Sequence, residues 1–290
     1  MGITPKRRSR QALWMVLAGV LSVLWTACGE RSAPGVSAAG DGAARPRIVS
    51  LAPALTAILV ELGAKDHLVG VTSWCDVAGV AVVGDMKPRP EAVLAAEPDL
   101  VVMAQYGSQA PDLAPLSALG LETLSLPLVT LDDMRRATHE LGELTGTDGD
   151  AVVRRFDEAL AAGKAKGRRG VRFLLVYGLE PGFVITTGGG DHISELLGEL
   201  GGVNAVSGGV TTRLGLERVL ELNPDVILHA APSATLPDSK AALAHWATWP
   251  GLSAVARGRV FVFPRDTLAR NGPQLAGDIA ELVRMLDAAP

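Results

Sequence analysis

The sequence predicts an α/β protein of two lobes with parallel-rich central sheets, joined by one long, rigid backbone helix. Three observations carry this expectation. Apolar strands alternate with amphipathic helices in both halves of the chain, a pattern that builds parallel sheets through crossover connections. The stretch "PEAVLAAEPDLVVM", Pro90 to Met103, returns without a gap 126 residues later as "LERVLELNPDVILH", Leu216 to His229. Between the alternating halves lies a helical stretch with no strand in it, near residues 147–168. Two copies so far apart indicate paired domains and not a solenoid of short repeats.

The N-terminus adds an address. Lys6, Arg7, Arg8 and Arg10 precede an apolar run from Ala12 to Trp25, which closes on small residues before Cys28. This is the tripartite pattern of an export signal. The run, interrupted by Gly19 and Ser22, is short for a membrane span, which wants about 20 apolar residues. Residues 1–27 are therefore expected to be a lipoprotein signal peptide, "LWTACG" being similar to a lipobox with Cys28 as the lipidated residue. Residues 28–45, small and polar with Gly and Pro, read as a flexible tether. The expected location is the periplasm or cell surface, with the lipid on Cys28 holding the chain to the membrane.

Residues 1–27 hold four of the 27 basic residues and none of the 31 acidic ones, so the remainder carries a net charge of −8. That argues against a nucleic-acid partner. With Cys28 lipidated, Cys75 stands alone, and the chain relies on its cores and not on disulfides. Its 290 residues, 48% of them apolar, suffice for two such cores.

Each element follows in order. "RIVSLAP" is an apolar strand closed by Pro53, "ALTAILVELGA" has helical spacing with Gly63 as its C-cap, and "HLVGVTS" is the next strand. The first repeat copy is a short helix from Pro90 to Glu97, stopped by Pro98, followed by the buried strand "DLVVMA". A helix near "APLSALG", the strand "ETLSL" and a helix ending at Gly146 complete an N-terminal α/β lobe, residues 46–146. The connecting helix, residues 147–168, is a stiff spacer, so the lobes are expected to move little. The C-terminal α/β lobe, residues 169–290, restarts with strands "VRFLLVYG" and "GFVITT", the helix "HISELLGELGG", the second repeat copy, the strand "GRVFVFP" and a last helix from Gln274. Open α/β sheets bind ligand past the carboxyl ends of their strands, so the facing strand ends of both lobes are expected to form one cleft.

In this order and spacing, "SLAPALTAILVELG", "VGVTSWCD", "PEAVLAAEPDLVV", "LGGVNAV" and "LERVLELNPDVIL" resemble the helical-backbone (class III) periplasmic substrate-binding proteins of ABC importers, over about Arg45 to Asp287. Members of that family serve cobalamin, ferric siderophores and haem. The resemblance implies two Rossmann-like lobes and a monomeric receptor with no catalysis and no cofactor of its own. It implies a metal chelate as ligand, and "VGVTSWCD" favours cobalamin or a related corrinoid over a ferric siderophore or haem. The partner it implies is an ABC permease dimer with its ATPase. In the family a glutamate at the tip of each lobe docks onto permease arginines, and the matching positions are Glu91 and Glu217. A carboxylate and a guanidinium make a bidentate, directional pair. The helix macrodipole also favours an acid in a first turn, but is indifferent to which position holds it, whereas the two registers match.

For ligand contact the candidates are polar and aromatic residues just past strand ends. Trp74 offers broad contact to a flat macrocycle, with Asp76 close by and Cys75 between them as an inert small residue. Tyr106 lines the cleft or, as phenolate, ligates ferric iron. Phe183 matches a family aromatic that faces the ligand; Arg265, Asp266 and Arg270 meet polar groups of the ligand or form surface ion pairs. His229 is read as a structural histidine before a metal ligand. The glycines Gly188 to Gly190 before a helix resemble a phosphate cradle, without the Lys-Ser/Thr of a P-loop. An exported α/β hydrolase is the reading from another class, but no G-x-S-x-G, HExxH or Cys/His cluster supports it. A zinc or manganese receptor would need converging histidines, and the five here do not show that pattern.

Overall fold

In the computed structural model, which describes residues 45–85, 87–106, 112–167, 169–209, 211–231, 236–264 and 271–287, the two halves of the chain build two sheets. In the first, strands β1 (Ile48–Ser50), β2 (Leu68–Thr72), β3 (Val82–Gly84), β4 (Leu100–Gln105) and β5 (Thr123–Pro127) pair in parallel in the order β3-β2-β1-β4-β5. The winding direction reverses at β1, between β2 and β4, which is where an open α/β sheet leaves a crevice.

The second sheet contains β6 (Val171–Glu180), β7 (Phe183–Thr186), β8 (Gly202–Asn204), β9 (Thr212–Gly215), β10 (Val226–Ala231) and β11 (Val260–Pro264). β11, β10, β6 and β8 are parallel, whereas β7 and β9 extend the sheet antiparallel. The reason is local. Only Pro181 and Gly182, the latter at φ 84°, separate β6 from β7, and a two-residue connection makes a hairpin because a parallel crossover needs a dozen residues or more.

The helices are α1 (Pro53–Glu61), α2 (Pro90–Ala95), α3 (Ala114–Ser117), α4 (Leu131–Thr145), α5 (Gly149–Lys166), α6 (His192–Glu199), α7 (Leu216–Leu222), α8 (Leu236–Ala247), α9 (Ser253–Ala256) and α10 (Ile279–Asp287). The helix expected from Gln274 begins instead as a 3₁₀ turn, Pro273–Gly277, and becomes α-helical at Ile279. Strands β3, β8 and β9, of three or four residues each, are additional to the strands expected from sequence.

Helix α5 carries the junction. Asp148 caps it by accepting from the Ala151 amide at 2.8 Å, and its 18 residues span about 27 Å at 1.5 Å per residue. It meets α4 backbone to backbone, since a Cβ on Gly149 would lie 2.8 Å from the Thr138 carbonyl oxygen. Towards its other end, a Cβ on Gly163 would lie 2.5 Å from Ile279 and 2.8 Å from Leu200. Arg155 pairs with Glu61 of α1 at 3.1 Å and Lys164 with Glu199 of α6 at 2.5 Å, so the helix is tied to both lobes. One buried cluster runs from Leu55, Ile58 and Met134 through Phe156 and Leu160 to Phe173, Leu196 and Leu282. Elsewhere across the junction, the buried Asn271 side-chain amide donates to the carbonyls of Leu128 at 3.2 Å and Thr130 at 3.3 Å. Leu128 follows β5 and Asn271 lies in the C-terminal half, so a residue of that half reaches the carboxyl end of the first sheet.

The sequence repeat becomes a structural unit. In each copy a short helix ends at a residue in the left-handed region, Glu97 at φ 46° and Asn223 at φ 41°, followed by Pro, Asp and a strand. These two matched positions hold the described non-glycine residues with positive φ. The aspartates do the same job twice. Asp99 accepts from the Arg47 amide at 2.7 Å and donates its own amide to the Arg47 carbonyl at 2.8 Å; Asp225 does so with Arg172 at 2.9 and 2.8 Å. Each carboxylate thus closes the amino end of a strand pair, β1 with β4 and β6 with β10. Asp99→Ala and Asp225→Ala are each expected to cost about 1 kcal/mol, the net worth of such a hydrogen bond, in chemical denaturation. A loss confined to one copy would contradict the equivalence.

Candidate functional site

Three of the residues singled out from sequence lie past the carboxyl ends of β2 and β4, on either side of β1: Trp74, Asp76 and Tyr106. Trp74 is 62% exposed and Tyr106 57%, both unusually open for aromatic side chains. The strand ends beneath them are polar and buried. Thr56 Oγ1 lies 2.8 Å from Ser50 Oγ and 3.2 Å from Cys75 Sγ, and Thr72 Oγ1 lies 3.3 Å from the same sulfur. Cys75 is half-buried and packed on the main core, in keeping with a structural thiol.

Crowding around the Tyr106 hydroxyl, and to a lesser degree the Cys75 thiol, pushes the phenol pKa up from its ordinary value. Asp76 is exposed and lines a small cavity with Pro53, Thr56, Val60, Glu61 and Gln274; neither Trp74 nor Tyr106 reaches it.

Phe183 opens β7, at the end of the second sheet where β6 finishes. It is half-buried, and the Arg213 guanidinium covers one ring face at 4.7 Å from the centroid while lying 3.7 Å from Glu180. Tyr177, earlier in β6, packs on the main core. Arg265, Asp266 and Arg270, like Cys28, the signal segment and most of the tether, lie outside the described residues.

Two alternatives from sequence lose their footing. His229 is only 4% exposed, and its Nδ1 accepts from Trp246 Nε1 at 3.1 Å, so that lone pair serves packing between β10 and α8. The Gly188–Gly190 turn is no anion cradle, because the Asp191 carboxylate itself accepts the α6 amides of Ile193 and Ser194 at 3.1 and 3.0 Å. An anion there would meet a like charge. The glycine is needed for backbone approach: a Cβ on Gly188 would lie 2.3 Å from the Gly208 carbonyl oxygen. Among the described residues no three His, Cys, Asp or Glu side chains converge to hold a metal ion.

Glu91 and Glu217 occupy the first turns of α2 and α7, and both are exposed. Neither helix has a side-chain N-cap, and neither glutamate pairs with a described cation. One turn on, Leu94 is 45% and Leu220 37% exposed at equally matched positions. The repeat displayed these leucines in sequence, but exposure was not legible there. Asp85, which binds the Trp74 indole, was also missed: in "VGDMKP" it reads as an ordinary turn residue.

The profile of the periplasmic binding protein family matches residues 48–267. A vitamin B12-binding protein of Vibrio parahaemolyticus serotype O3:K6 is 27% identical over 248 residues, which cover 81% of this chain and 87% of the relative. An uncharacterised ABC transporter substrate-binding lipoprotein of Bacillus subtilis is 26% identical over 255 residues, 83% of this chain and 79% of the relative. Among solved structures, a periplasmic haem-binding protein of Vibrio cholerae has the same fold at a TM-score of 0.72, with 21% identity, covering 84% of this chain and 98% of that one.

Proposed function

Because the chain belongs to the periplasmic binding protein family, a transport family and not an enzymatic one, we propose that it captures a metal chelate between its lobes and delivers it to an ABC permease. The observation that carries this reading is the pair of equivalent heads: Glu91 with Leu94 and Glu217 with Leu220, exposed at matched positions on two lobes that one core holds together. A partner with two equivalent halves, each offering an arginine, fits such a surface.

The ligand we favour is cobalamin or a related corrinoid. The relative named for vitamin B12 and the open indole of Trp74, suited to a flat macrocycle, support it. Ferric siderophore and haem are the alternatives. Arg265, Asp266 and Arg270 are proposed as further ligand contacts, with Phe183 and Asp76. We also propose that Cys28 carries the lipid anchor, on the export pattern before it and the relative named as a lipoprotein.

Titration of the chain with cyanocobalamin, haemin and several ferric siderophores, followed by tryptophan quenching, tests the ligand class. Cyanocobalamin is expected to bind with a submicromolar dissociation constant, roughly −8 kcal/mol or better. Binding of none would remove the chelate reading, and turnover of an ester or phosphate would revive the hydrolase.

A further inference from the structure

Trp74 combines two properties that packing does not require together. Its ring is 62% exposed, yet its one polar group, the indole N–H, donates to Asp85 Oδ1. An indole that open can hydrogen-bond to water, so burial does not demand the bond; its effect is to fix the ring. The acceptor is itself held. Ser73 Oγ donates to the same carboxylate oxygen at 2.9 Å, and the Ser73 amide donates to the Gly84 carbonyl at 2.9 Å, extending the β2–β3 pairing to the base of Asp85. Beyond Gly84 the chain folds back so tightly that a Cβ there would lie 2.7 Å from Pro88 Cα, and the Arg89 amide returns to the Val83 carbonyl at 3.1 Å. Asp85 is therefore presented by a braced turn on a neighbouring strand.

We propose that Asp85 is a positioning residue, which holds the Trp74 ring as a preorganised platform for a flat ligand; this rests on the reading that Trp74 contacts the chelate. A carboxylate makes a stronger bond to an N–H than a neutral acceptor does. A side chain already ordered before binding spares the complex the cost of immobilising it, which corresponds to about a three- to tenfold gain in affinity.

The test uses the full-length chain with Asp85→Ala, Asp85→Asn, Trp74→Ala and the Asp85→Ala/Trp74→Ala pair. The Trp74 indole N–H resonance is assigned by its loss in Trp74→Phe. In Asp85→Ala, solvent exchange of that proton is expected to accelerate about tenfold or more. Asp85→Asn, which retains an acceptor oxygen, is expected to restore most of the protection. Dissociation constants for cyanocobalamin and haemin, whichever binds, are expected to rise about three- to tenfold in Asp85→Ala. In the Trp74→Ala background the same substitution is expected to have no effect. Unchanged indole exchange, or a loss of affinity that persists without Trp74, would overturn the proposal. If neither chelate binds the wild-type chain, the ligand reading falls while the exchange measurement still decides whether Asp85 holds the ring.

Discussion

Charge reversal at both heads, Glu91→Lys with Glu217→Lys, is expected to abolish import while leaving ligand affinity within about twofold of wild type. Both carboxylates are exposed in the first turn of a short helix, with no cation of the described chain paired to them, so removing them disturbs little inside the protein. Loss of the favourable macrodipole contact costs each helix a few tenths to about 1 kcal/mol. Against a partner arginine the effect is larger, because a bidentate, charge-assisted pair becomes a like-charge contact. Uptake of labelled ligand by cells in which the variant replaces the wild-type chain reads the outcome, and the titration above reads affinity. Single reversals are expected to fall between, since one head remains. Normal uptake by the double variant would end the docking reading and leave both glutamates as first-turn acids. Leu94→Ser with Leu220→Ser is the companion, expected to weaken uptake less and with less dependence on salt.

Phe156→Ala is expected to cost about 3–5 kcal/mol of stability, the range for a large aromatic removed from a well-packed core. Phe156 is fully buried in the cluster shared by both lobes, and Arg135 lies 5.5 Å from its ring centroid while donating to Asp157 at 2.7 Å. The cavity would open in the helix between the lobes, so neither sheet could collapse into it alone. Chemical denaturation is expected to show one transition at lower denaturant, because the lobes share that core. A second transition, or a loss below about 1 kcal/mol, would mean that the lobes are held together elsewhere.

Local order was legible wherever a short-range signal produces it. The two-lobe architecture, the long helix and the repeat follow from apolar periodicity and from proline and glycine stops, whereas the aspartates of the repeat bond backbone more than 50 residues away, which no local pattern displays. The left-handed residues show where the reading stopped: Glu97 and Asn223 do the same work with unlike side chains, so the matched positions gave no sign of it.

The site was legible in part. Trp74 and Asp76 follow β2 and Tyr106 follows β4 because strand order places those strands on either side of β1, and strand order is a long-range property that no local pattern encodes; Asp76 faces a cavity that neither aromatic lines. Asp85 reaches the indole only because β3, a strand not expected from sequence, pairs with β2 and ends beside it. His229 and the Gly188–Gly190 stretch kept two readings open in sequence; the first was decided by Trp246, brought in from α8 by folding, and the second by the local cap in which Asp191 accepts the first-turn amides of α6. By itself, then, the sequence determined the lobes, their connecting helix and the matched glutamates, because periodicity and repetition are written along the chain. Which strand ends adjoin, which aromatic rings stay open and which polar groups are already spoken for were decided by the tertiary structure, because packing between distant segments sets exposure and hydrogen-bond partners.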